Sequence, residues 1–296
     1  MIEHLGLTEH TRVSDTTKIM VDDQGVEFVL VENAFSQACF TLHGAHLIHF
    51  QQAAKAPLIW LSKTAIFDNK KAIRGGVPIC WPWFGAAPAS FGANLPSHGF
   101  ARNSLWQLAE TKEVDGATQI SFKLTDTKAS LELWPHQFEL TLVATVGEAI
   151  DLRLITHNQS EKPAPYLAAL HTYLNISAPE HAKVTGLGSQ YLDSLAGKQQ
   201  KASTGTLSID GAIDSLYTQA EPSLTLSDQG LQREVAIHNE GNDTVVVWTP
   251  WIEGAAAMAD MPDDGYQTML CVESAITQQA VIIAPGESHT LSTRIG

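Results

Sequence analysis

Short segments in which apolar or β-branched residues alternate with polar ones recur along this chain, and they constrain its fold more than any other feature. Val26 to Glu32, Gln37 to Leu42, Thr118 to Leu124, Gln137 to Thr145, Ile150 to His157, Val235 to His238 and Val245 to Trp248 all carry this rhythm. Between such segments stand Asp23-Gln24-Gly25, Asp115-Gly116, Gly147-Glu148 and Asn239-Glu240-Gly241-Asn242, residues that let the backbone reverse at low steric cost. The pattern predicts antiparallel hairpins. Helical signal is confined to Glu253 to Met261, an Ala-rich run closed by Pro262, whose ring disfavours a continuing helix. No Gly/Ser linker, charge block or internal repeat divides the 296 residues. The expectation is an all-β fold with few short helices: one domain over residues 1–296, in which two extended sheets pack face to face.

Charge narrows the partners. Lys and Arg number 18 against 32 Asp and Glu, a formal net charge of -14, so the summed field repels nucleic acid and acidic membrane surfaces. The N-terminal MIEHLGLTEHTRVSD has neither a basic region nor an apolar run of signal-peptide length, and no apolar stretch approaches a membrane span. A cytoplasmic monomer is expected. Cys39, Cys80 and Cys271 are odd in number, far apart and without a CxxC pair, which indicates neither a disulfide framework nor a zinc site. His43, His46 and His49 recur at a helical spacing, but FTLHGAHLIHF reads as two strands meeting at Gly44, and no Cys or carboxylate completes a ligand set. No metal and no cofactor are expected.

Two stretches, Ile66 to Gly85 and Ala86 to Arg102, are too long for hairpin turns, and long ordered loops on a β scaffold are where binding groups gather. The first contains Arg74-Gly75-Gly76-Val77-Pro78-Ile79-Cys80-Trp81-Pro82-Trp83-Phe84-Gly85. A guanidinium fork matches phosphate oxygens, and aromatic faces pack on the C–H faces of a pyranose; the competing reading makes the aromatics core anchors and Arg74 a surface charge. The second contains Leu95-Pro96-Ser97-His98-Gly99-Phe100-Ala101-Arg102, which places a histidine and an arginine within five residues. Pro165 to Leu174 reads as a strand with Leu167, Ala169, His171 and Tyr173 on one face, and Gln267 to Ala275 as a strand with Met269, Cys271 and Glu273 on one face. His171 is either a core histidine or a proton donor, and Glu273 either caps a sheet edge or is held for chemistry. Asp214, in Ile213-Asp214-Ser215-Leu216-Tyr217, is a site acid or a turn former.

Taken in order, RGGVPICWPWFG, LPSHGFAR, AALHTYL, VVVWTPW and CVESA resemble the hexose-6-phosphate mutarotases, or glucose-6-phosphate 1-epimerases, of the aldose 1-epimerase superfamily. The resemblance spans nearly the whole chain. It implies a galactose-mutarotase-like antiparallel β-supersandwich, His171 as general acid, Glu273 as general base, and contacts to a sugar phosphate from Arg74, Arg102, His98 and Asp214. Ser97 stands where some relatives carry glutamine, so its contact with substrate would run through water. The implied reaction interconverts the α and β anomers of a hexose 6-phosphate, glucose 6-phosphate first, by acid–base ring opening and closure, with His171 and Glu273 expected as an imidazolium–carboxylate pair. Rival expectations are a non-catalytic carbohydrate-binding protein, an epimerase of free aldoses, and a glycoside hydrolase using Asp214 with Glu273.

Overall fold

The structure, a computed structural model, describes residues 5–89 and 95–296; the first four residues of the N-terminal segment and residues 90–94 of the long Ala86 to Arg102 stretch lie outside the described residues. Every strand ladder among the described residues is antiparallel, as the turn signals require. A five-stranded sheet runs in chain order from Thr8–Arg12 to His46–Gln52. A nine-stranded sheet is ordered Thr206–Ser208, Ala182–Thr185, Ser223–Asp228, Arg233–Glu240, Ser288–Ile295, Ile150–Asn158, Phe138–Val146, Ala117–Thr125, Gln107–Val114. An eight-stranded sheet is ordered Gln199–Ala202, Gln190–Asp193, Ile213–Tyr217, Thr244–Thr249, Met269–Ile283, Ala164–Leu170, Ile79–Cys80, with Tyr173–Asn175 also pairing Met269–Ile283.

Asp115-Gly116 turns the chain with φ of 52° and 81°, the double left-handed geometry of a two-residue hairpin, and joins Gln107–Val114 to Ala117–Thr125 as expected. Asn239 to Asn242 does not make a hairpin: Arg233–Glu240 belongs to the nine-stranded sheet and Thr244–Thr249 to the eight-stranded one, so this turn carries the chain between sheets. The N-terminal sheet is a third one where two were expected. One apolar cluster joins all three sheets through residues such as Val29 and Phe40, Phe122 and Leu142, and Val247 and Val272.

The expected helix at Glu253 to Met261 forms earlier and is shorter, Trp251–Ala256. Its continuation is bent into turns that bury Met261 against Trp60, so tertiary packing overrides the Ala-rich local preference. A second short helix, Lys128–Leu133, escaped the sequence reading; Thr127 and Ser130 cap each other across its start, a local device that stabilises six residues with little periodicity to announce them.

Candidate active site

Residue parity sets the site. In the eight-stranded sheet, Ile213, Tyr217, Val245, Val247, Leu270 and Val272 face the shared core. Their alternates face the other way, because successive side chains of a strand point to opposite faces. Register then lines these alternates up in two cross-strand rows. Leu216 pairs with Val246 and Val246 with Glu273, while Asp214 pairs with Trp248, Trp248 with Cys271 and Cys271 with Tyr173. Asp214, Leu216, Trp248 and Glu273 line a cavity of about 710 Å³.

The Pro165 to Leu174 strand is interrupted. Ala164–Leu170 ends one residue before His171, and Tyr173–Asn175 resumes the ladder. Across the gap the Val272 N–H donates to the Thr172 carbonyl at 3.1 Å, and the His171 N–H donates to Pro78 at 3.1 Å. The break brings His171 Nε2 to 3.4 Å from Glu273 Oε1, with side chains 12% and 1% exposed. The His171 ring stacks on Tyr173 at 5.0 Å and meets His98 edge-on at 5.9 Å. Glu273 Oε2 and His171 Nδ1 are buried with no hydrogen-bond partner.

Burial governs the protonation of this pair. It raises the Glu273 carboxyl well above its ordinary value, with Asp214 adding to the effect and Arg102 opposing it. It lowers His171 well below the ordinary imidazole value, helped by His98 and Arg102. The sequence suggested an imidazolium–carboxylate pair, but desolvation penalises both charges. Burial thus works against that charged pair.

The two arginine loops meet at the same cavity. Gly75 and Gly76 take φ of 102° and 69°, and Gly76 has no room for a Cβ, which would sit 2.3 Å from the Leu47 carbonyl oxygen. This turn presents Arg74, whose Nε donates to Asp260 at 3.1 Å and whose Nη1 donates to the Tyr173 hydroxyl at 3.1 Å. His98 closes the second loop: its N–H donates to the Gly85 carbonyl at 2.7 Å and its Nδ1 accepts from the Gly85 N–H at 3.2 Å. Burial, with Arg102 and Arg74 nearby, lowers His98 to about 4. Arg102 Nη2 donates to the Ser97 carbonyl at 2.9 Å, and its Nε is buried without a partner.

Gly99, between His98 and Arg102, has φ of 70°, and a Cβ there would lie 1.9 Å from the Trp81 carbonyl oxygen. Gly99→Ala is therefore expected to cost at least about 1–3 kcal/mol from backbone strain alone. Thermal unfolding checks this, and an unchanged midpoint would contradict the close approach.

Six of the residues singled out from sequence line this one cavity: Arg74, His98, Arg102, His171, Asp214 and Glu273. Burial raises the Asp214 carboxyl while a hydrogen bond from the Ser194 hydroxyl opposes it. Ser97 is not among the lining residues; its exposed hydroxyl donates to the Gly85 carbonyl at 3.1 Å, so it ties the loop. Trp81 and Trp83 are fully buried, Trp81 donating to the Thr156 hydroxyl at 3.1 Å. The competing core reading describes them, and the aromatic surface offered to a ligand comes from Phe84, Tyr173 and Trp248. Sequence reasoning missed Asp260 and Lys198, which reach the site from irregular segments, and Ser194, which opens the short 3-10 helix Ser194–Ala196. His43, His46 and His49 are all buried; His46 Nε2 bonds the Gly75 carbonyl at 2.8 Å and so supports the Arg74 turn.

The antiparallel sheets packed on a shared core are those of the galactose-mutarotase-like fold. A galactose mutarotase-like protein from Clostridium acetobutylicum superimposes over 95% of this chain and 97% of its own at a TM-score of 0.75, with 12% identity, a likeness of fold alone. The aldose 1-epimerase family profile matches residues 27–296, and the chain belongs to that family of enzymes. An Escherichia coli K12 relative named "Putative glucose-6-phosphate 1-epimerase" is 34% identical over 255 residues, covering 86% of this chain and 84% of the relative. A relative from Cenchrus ciliaris with the same name is 32% identical over 286 residues, covering 93% and 85%. The crystal structure of a "putative mutarotase" from Salmonella typhimurium matches 99% of this chain and 97% of its own at a TM-score of 0.93, with 30% identity.

Proposed function

We propose that this chain interconverts the α and β anomers of a hexose 6-phosphate, glucose 6-phosphate foremost, with His171 and Glu273 moving the protons. The observation that carries the reading is the 3.4 Å contact between His171 Nε2 and Glu273 Oε1 in a cavity that also receives Arg74 and Arg102. The relatives' names supply the phosphorylated substrate. Ser97 acts by holding the loop and through water; His98 and Asp214 contact the sugar. We further propose that residues 1–296 act as a single domain, as a cytoplasmic monomer without nucleic-acid or membrane partners.

Ring opening needs one proton removed from the O1 hydroxyl and one delivered to the ring oxygen as the bond from C1 to that oxygen breaks. Glu273 as carboxylate takes the first, and His171 as imidazolium gives the second. The C1 aldehyde then rotates about C1–C2, and closure on its other face reverses both transfers. The pair holds one proton throughout. Opening converts carboxylate and imidazolium into carboxylic acid and neutral imidazole, the arrangement that burial favours. Burial favours the neutral pair beside the closed ring as well, so reaching the carboxylate–imidazolium pair that starts ring opening is part of the barrier.

The rate is expected to follow a bell in pH. The acid limb is a second proton binding to His171, displaced below the ordinary imidazole range because burial lowers that group. The alkaline limb is loss of the shared proton, displaced above the ordinary carboxyl range because burial raises Glu273. Anomer exchange measured by saturation-transfer NMR should pass through a plateau near neutrality; a steady rise from about pH 5 to about pH 9 would sink the assignment.

A further inference from the structure

We infer that His171 Nε2, Cys271 Sγ and a Glu273 carboxylate oxygen form a three-ligand site for a thiophilic divalent cation such as Zn²⁺, whose binding disables the proton-transferring pair. The inhibitory consequence rests on the proposed epimerase reading; the site itself does not. These three ligand atoms lie within 4.8 Å of one another. Cys271 and Glu273 share one face of the Met269–Ile283 strand, and the interrupted strand opposite supplies the histidine.

Ligands around a four-coordinate zinc are spaced about 3.3–3.8 Å apart, given metal–ligand bonds of about 2.0–2.3 Å. His171 and Glu273 already have that spacing, at 3.4 Å. Closing the sulfur onto the same centre requires a side-chain shift of about 1 Å. An independent observation points to a ligand here: Glu273, 1% exposed, has one carboxylate oxygen with no hydrogen-bond partner. Burial favours the neutral imidazole, whose lone pair a metal takes, and His171 and Glu273, though not the fully buried Cys271, line the cavity.

Donor chemistry selects the cation. A thiolate with an imidazole and one carboxylate suits zinc-like ions, whereas magnesium and calcium need more oxygen ligands. Binding balances as a cation in and two protons out, one from the Cys271 thiol and one from the His171–Glu273 pair, because the metal takes the place of both. With Nε2 and the carboxylate coordinated, neither can exchange a proton with the sugar.

Cobalt(II) is the probe. Titrated into the full chain, it should give a near-ultraviolet thiolate-to-cobalt band that Zn²⁺ abolishes, and calorimetry in buffers of different ionisation enthalpy should count about two protons released. Cys271→Ala should lose the band, release about one proton and weaken Zn²⁺ binding at least about tenfold. Cys39→Ala and Cys80→Ala should keep it. Cys271→Ser replaces the alanine variant should that one fail to fold. Zn²⁺ should slow anomer exchange by the wild type, with the inhibitory concentration raised at least about tenfold in the Cys271 variant. No band in the wild type, or a band surviving loss of Cys271, overturns the inference. Exchange without a band removes the metal site and leaves the epimerase reading intact; a band without exchange does the reverse.

Discussion

Glucose 6-phosphate anomer exchange, followed by saturation-transfer NMR above the spontaneous rate, is expected to fall by about 10²–10⁴ in both His171→Asn and Glu273→Gln, the usual worth of a positioned acid or base. Sugar phosphate binding should persist, since the arginine loops are untouched. The double variant should lose little more than either single one, because the two groups share one proton and act as a unit. A carbohydrate-binding protein without chemistry would instead show no acceleration in the wild type.

Glu273→Gln also reports on the burial argument through stability. The folded carboxyl is raised above its unfolded value, so the folded state binds the proton more tightly. Stability from this group is complete below the unfolded value and is lost as pH rises through the folded one. The amide mimics the neutral acid and has no such loss. The melting point of Glu273→Gln relative to wild type should therefore climb as pH rises from the acid range through neutrality. A relative fall would mean that Glu273 is a carboxylate in the folded protein, as the sequence suggested.

Alternation and turn chemistry made the sheets legible because both are local. Val245 to Trp248 and Ile150 to His157 form strands close to where their patterns lie, Thr244–Thr249 and Ile150–Asn158. Which strands become neighbours is decided by long-range register, which spacing does not encode. Thus Asn239 to Asn242 looks like the Asp115-Gly116 turn in composition yet links two sheets. The same limit applies to the site. His171 and Glu273 could be singled out as a polar residue in each of two apolar strands, but their 3.4 Å approach depends on a strand break at His171. Cys271 was set aside because the cysteines are dispersed in sequence; it lies opposite Tyr173, beside the pair, only through sheet register. Asp260 follows a helix and bonds Arg74 across 186 residues, and no local pattern carries that contact.

The two arginines differ in what surrounds them, and preference for phosphorylated over free hexose should divide accordingly. Arg74 is paired with Asp260 at 3.1 Å and bonded to Tyr173, so much of its charge is compensated before an anion arrives. Arg102 bonds a backbone carbonyl and has no carboxylate within ion-pair distance among the described residues. It brings net positive charge into the cavity of a protein whose formal charge is -14. Arg102→Ala is thus expected to cost about 2–5 kcal/mol in kcat/KM for glucose 6-phosphate, the range for truncating one partner of a bonded charge pair. For free glucose the change should be small. The double variant Arg74→Ala with Asp260→Asn removes a guanidinium and its own counter-charge together, leaving the net charge near the cavity unchanged, and should cost less of the phosphate preference. Comparing kcat/KM for glucose 6-phosphate and glucose across the two variants decides it: a larger loss of preference in the double variant would make Arg74, not Arg102, the principal phosphate ligand.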